Sequence, residues 1–269
     1  MSQVNSQPKS QIAALRDASG DLEQLRREWL KKPHEATALW QFDRVVNDTI
    51  YLIHTLDDVQ AAKLGKRWIK LQLKLEMGIH WLNTVDVLRE SLPESDHAKL
   101  ASAVQRLSKK PLEQCQKILS KSEWTRIRRW WYGYLDTLPD RDPIDAIGIE
   151  RAEKAFHRFS KLKIRVLKHD RFQDWLKLES AAGELRTCLV LRTPNAENAR
   201  ADIVGFSDIE SHIRSWRRIA TTLKILDILE LTPEIEDDLN ITERMSDLRL
   251  QQRLRAHKLQ EKVRALLTA

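Results

Sequence analysis

Apolar side chains recur every three or four positions along most of this chain, and no segment shows the alternation at a period of two that marks a half-buried strand. Ile12, Leu15, Leu22, Leu25 and Trp29 outline a first amphipathic helix, with a break expected near Gly20 and a stop at Pro33. A second runs from about Glu35 to Leu56 on Leu39, Phe42, Val46, Ile50 and Ile53. A third starts near Asp58 and carries Leu64, Trp68, Leu71, Leu75, Ile79, Leu82, Val85 and Leu88. Gly78 lies inside it, and because glycine costs about 1 kcal/mol against alanine there, it marks a kink or a close helix contact. Shorter helices are predicted over His97 to Leu107, Leu112 to Leu119 and Ser122 to Leu135.

The same periodicity predicts helices from about Ile144 to Leu167 and from Arg171 to Leu191, followed by a polar loop around Pro194 to Asn198. Ser207 with Glu210 three residues later reads as an N-terminal cap, opening a helix that ends at Leu231. After Pro233, a last helix carries Leu239, Met245, Leu248, Leu254, Val263 and Leu266. The predicted fold class is all-α.

A helical unit occurs twice. Leu39-Trp40-Gln41-Phe42 through Leu56 corresponds to Trp175-Leu176-Lys177-Leu178 through Leu191, and each is followed by a helix with a related segment. Those segments are Leu82 to Leu88 and Leu223 to Leu229. Duplication divides the 269 residues into a polar leader (1–10), a first helical half (11–138), a second half (139–231) and a C-terminal helical extension (232–269). The two halves are expected to form one domain.

Composition narrows the classes. Hydrophobic residues make up 42% and charged ones 32%, which fits a chain with a packed core rather than a disordered one. The net charge of +7 permits an anionic partner, although 39 acids stand beside 46 bases, so placement matters more than the sum. Cys115 and Cys188 lack the paired spacing of a zinc or redox site and are read as reduced structural thiols. The first ten residues have no apolar run, and no uncharged stretch reaches the roughly 20 residues that span a bilayer. A cytoplasmic location without a membrane span is the simplest expectation.

The repeated helix pairs resemble those of the CHAD family, the conserved histidine α-helical domains. In that family each half carries His-x-x-Arg-x-x-x-(Arg or Lys)-Arg-x-Arg, followed by a helix with an Arg-Asp-x-Asp-Val-like segment. Here Trp40, Asp43, Asn47, Asp48 and Ile50 fill the motif positions of the first half. Leu176, Glu179, Gly183, Glu184 and Arg186 fill those of the second, so Arg186 is the one match. Asp86 and Asp227 are kept in the following segments. Between the halves, Leu119 to Trp124 and Trp131 to Leu135 are similar to an intervening helix of the family, so the likeness extends from about Gln11 to Leu231. It implies two pseudo-symmetric bundles around a basic groove, with inorganic polyphosphate as ligand. Arginines and histidines at helical spacing grip a chain of phosphates, whereas acids remove donors and add repulsion.

Any polyanion binding is therefore expected on a remodelled surface. Lys154, Arg158, Lys161, Arg165 and Lys168 step by four and three along one helix face, and with Arg186 they form the candidate polyanion-binding set. A solvated helix face is the plainer reading of the stripe. Trp124, Trp130 and Trp131 interleave with Arg126, Arg128 and Arg129, a mixture that suits base stacking or a membrane surface but is commoner in core packing, here at the hinge between the halves. Glu76 and His80 share a helix face without the further ligands a metal needs. Asp86 and Asp227 either face each other across the pseudo-twofold or pair with neighbouring cations. No catalytic residue, cofactor or metal site is assigned. The sequence reads as a non-enzymatic binding module, possible partners being inorganic polyphosphate or another polyanion; the rival reading is a protein-interaction scaffold that has lost phosphate binding.

Overall fold

A computed structural model describes residues 11–56, 59–138, 146–192, 197–236 and 238–268. Among them the secondary structure is helical, as the period of three to four requires, in the order α1 (Gln11–Lys31), α2 (Ala36–His54), α3 (Val59–Ser91), α4 (Glu94–Leu119), α5 (Lys121–Leu135), α6 (Ala146–His169), α7 (Phe172–Arg192), α8 (Glu197–Glu230), α9 (Pro233–Glu236) and α10 (Leu239–Thr268). The polar leader 1–10 and residues 193–196 of the expected Pro194 loop lie outside the described residues, whereas Glu197 and Asn198, expected in that loop, are helical in α8.

Three boundaries differ from the sequence reading. Gly20 does not break α1, because Leu15 and Leu22 on either side of it are buried and tie both parts to one core. The helices expected on either side of Pro111 are one, α4, with the proline inside it. An interior proline costs about 3 kcal/mol, but Leu100 and Ala103 before it and Cys115 and Leu119 after it are all buried, so packing outweighs the lost hydrogen bond. Ser207 caps nothing, since α8 begins ten residues earlier at Glu197. Phe206 packs edge-on against Phe159 at 5.0 Å, which draws the upstream turns of α8 onto α6.

Helices α1 to α4 pack around one core, in which Leu39, Phe42 and Val46 of α2 meet Leu64, Trp68 and Leu75 of α3. Trp124 and Trp131 of α5 belong to this same core rather than to a hinge between the halves. Trp131 Nε1 donates to Ser19 Oγ at 2.6 Å, and its ring stands perpendicular to that of Trp68. In the second bundle α6, α7 and α8 are joined by α10, whose Val263 and Leu267 share a core with Trp175, Leu178 and Ile213. A third cluster joins the bundles, with Trp81, Leu88 and Leu100 against Leu226, Leu229 and Met245. Arg244 reinforces it by reaching buried Asp96 at 2.6 Å.

Gly78 marks a close contact rather than a kink. A Cβ there would lie 2.3 Å from Cys115 Sγ and 3.2 Å from the Pro111 carbonyl oxygen, so glycine lets α4 lie directly on α3. Both cysteines are free and buried, and burial raises their thiols to about 12 for Cys115 and about 11 for Cys188, which keeps them protonated.

Candidate functional site

The halves meet where α2 packs on α7 and α3 on α8, so the repeated helices face each other across the interface. The motif positions of both copies lie there. Asp43 and Glu179 are equivalent and buried, at 5% and 4% exposure. Asp43 accepts hydrogen bonds from Gln72 at 3.0 Å and from Asn47 at 3.4 Å. Glu179 faces Arg214 at 3.4 Å and Arg217 at 3.6 Å, both from α8.

Two more acids extend this network. Buried Glu210 accepts from Arg186 Nε at 2.9 Å and also pairs with Arg214. Arg186 reaches across to Asp48 at 2.5 Å, and so spans the two copies. Glu184 sits 3.1 Å from His54 Nδ1 and 2.8 Å from Arg158. Beside these pairs, the guanidinium of Arg218 lies on the ring of Trp40, 3.2 Å from its centroid, and His80 meets the same ring edge-on.

The titration directions follow from this crowding. Burial pulls the Arg214 and Arg217 guanidiniums down, but their buried acids more than offset it and hold both above the ordinary arginine value. Arg218 has no ion-pair partner among the described residues, and burial with repulsion from Arg214 and Arg217 lowers it to about 10 despite attraction from Asp43 and Glu179. Burial also holds the Glu179 carboxyl above its ordinary value despite Arg217 and Arg214. For Glu184 burial acts upward too, yet the His54 hydrogen bond and Arg158 bring it below. A buried charge without a partner is costly, so each arginine here is held by the carboxylates, or the aromatic ring, around it.

Gly183 completes the closure. A Cβ there would lie 2.2 Å from the Tyr51 ring, so the fully buried tyrosine of α2 fills the space that a basic side chain of α7 would need.

No family model matches this chain, and no curated protein does. Among solved structures, it is similar to the crystal structure of the CHAD domain from the plant Ricinus communis, with a TM-score of 0.71 and 14% identity over 96% of this chain and 90% of that one. The fold is CHAD-like. The frame read from the repeated helices is thus present in three dimensions, and in this CHAD-like chain Asp48, Glu179, Glu184 and Arg186 take part in ion pairs where the halves meet.

The six residues expected to bind polyanions are not brought together. Arg186 is part of the closed interface. On α6, Arg158 is held by Glu184, Arg165 lies 2.8 Å from buried Asp174, and exposed Lys154 pairs with Glu150. Lys161 and Lys168 are exposed and have no ionic partner among the described residues. Of the two readings for Asp86 and Asp227, pairing with cations is the one seen, with Arg89 at 3.7 Å and Arg249 at 3.1 Å. Glu76 and His80 approach to 3.4 Å, and the described residues contain no cluster of three or more metal-ligating side chains. No described helix is long and apolar enough to cross a membrane.

A second basic face escaped the sequence reading. Lys63, Arg67, Lys70 and Lys74 step by four, three and four along α3, the same rule that picked out α6. All four are exposed, and none has an acidic partner among the described residues. With α5, Arg67, Lys70 and Lys74 border a cleft of about 440 Å³, where Arg67 lies 5.4 Å over the half-buried ring of Trp130. The lysine spacing was legible, but its meeting with Trp130 was not.

Proposed function

We propose that this chain is a non-catalytic binding module for a polyanion, inorganic polyphosphate being one such chain, and that it takes this ligand on its outer basic surface rather than between its halves. The supporting observation is a difference in partners: the interface arginines are matched by buried acids, whereas Lys161, Lys168, Lys63, Lys70 and Lys74 are exposed and have none among the described residues. Free cations at helical spacing attract phosphates and release condensed counterions, so binding must weaken as salt rises. The interface carboxylates of Asp48, Glu179, Glu184 and Glu210 are engaged by arginines, which favours a structural use of them over acid–base chemistry.

Titration of long-chain polyphosphate at low and high salt tests this reading. Tight, salt-sensitive binding is the expected result, with no release of orthophosphate; absence of binding at low salt refutes it. Exposed Ile69, Leu73 and Met77, one turn apart on α3, favour a second reading as a protein-interaction scaffold. Binding of a protein segment that is insensitive to salt, without any polyphosphate binding, would support that reading.

A further inference from the structure

Four cations, Arg67, Lys70, Lys74 and Arg126, line the α3–α5 cleft. On the cleft wall Glu123 is the one acid, and it already pairs with Arg126 at 2.6 Å. Lys70 and Lys74 therefore repel each other and Arg67, and no acid among the described residues pairs with them.

The other part of the wall is apolar. Ile118, Ile127 and Trp130 line the cleft between the cations, and Trp130 is held edge-on by Trp68 at 5.5 Å, which fixes its indole. An inorganic phosphate chain would use the cations and leave this surface idle. A ligand that carries phosphates and flat apolar rings uses both. A rigid duplex keeps its bases stacked inside, away from a recess between two helices, whereas a single strand presents them.

We propose that the α3–α5 cleft binds single-stranded nucleic acid, with phosphates on Lys70, Lys74 and Arg126 and a base against Trp130. This rests on the polyanion reading above and gives it a place and a ligand class. Arg67 is exposed, and its guanidinium would move from the indole to a phosphate as the base stacks.

Fluorescence anisotropy with a labelled single strand of about 12 nucleotides, within the usual site size of such proteins, is the test. A duplex of the same sequence, long-chain polyphosphate and anionic phospholipid vesicles serve as competitors. The full chain is expected to prefer the single strand. Lys70→Glu with Lys74→Glu should weaken that binding at least tenfold, and neutral alanines at both sites should flatten the log–log salt dependence by about 1.4. Trp130→Leu should weaken the strand roughly five- to hundredfold while leaving polyphosphate affinity unchanged. If Trp130→Leu misfolds by circular dichroism, the exposed lysine variants decide the matter. Polyphosphate binding without strand binding, strand binding indifferent to Lys70 and Lys74, or displacement by vesicles alone overturns this proposal but leaves the polyanion reading standing. Binding of neither polyanion overturns both.

Discussion

The interface between the halves and the α3–α5 cleft both present rows of cations along facing helices, yet they treat them oppositely. At the interface Arg186, Arg214 and Arg217 are buried or nearly so and are met by Asp48, Glu179 and Glu210. In the cleft Lys70 and Lys74 are exposed and met by no acid among the described residues. A cation with a buried carboxylate beside it is already satisfied and holds helices together. One without such a partner is free to hold something else.

Breaking the interface should therefore cost stability and leave ligand binding intact. The largest effect is expected at Glu210, which holds two arginines at once. Glu210→Gln should destabilise the chain by about 3–5 kcal/mol in urea unfolding, because it leaves buried charge without its acid. A loss below 1 kcal/mol would mean that the network is dispensable.

Next comes the steric closure. Gly183→Ala drives a Cβ into the Tyr51 ring and should cost roughly 3 kcal/mol, at the upper end of overpacking. Combined with Tyr51→Leu, the two losses should be clearly less than additive, as expected for side chains that compete for one space. Additive losses would show that Tyr51 does not occupy that space in solution.

Arg186→Gln sharpens the comparison most directly, since this residue was expected to bind polyanions and instead pairs with Asp48 and Glu210. It should lower stability by about 1–3 kcal/mol through the loss of buried charge-assisted bonds while polyphosphate affinity stays within twofold. Unchanged stability with weakened binding would move the ligand site back to the interface.

The smallest effect is a pH dependence. The Glu184 carboxyl lies below its ordinary value of 4.5 in the folded chain, so its contribution is complete above that pH and is lost as pH falls through the lowered value. The urea midpoint should thus fall more steeply on acidification in the parent chain than in Glu184→Gln. Parallel curves would show that the pairs with His54 and Arg158 do not form.

Sequence reading reached the frame but misjudged its ends. Pro111 and Gly20 looked like breaks because local propensity was the only term available, and burial on both sides of each reversed it. Trp124 and Trp131 were legible as core by their spacing, but not the bundle they serve. The α6 stripe was read from spacing alone, which cannot show that Arg158 and Arg165 already have acids from α7. The α3 row obeyed the same rule, and only the approach of α5 turned it into a cleft.

What the sequence determined by itself is the helical period, the likeness of the two helix pairs and the acids at Asp48, Glu179 and Glu210, since these depend on residue order along single helices. The tertiary structure decided what the acids do. Arg214 and Arg217 lie about 35 residues or more from Glu179, and Asp48 is 138 residues from Arg186. Pairing over such separations exists only after α2, α3, α7 and α8 are packed, because burial is what makes each charge require its partner.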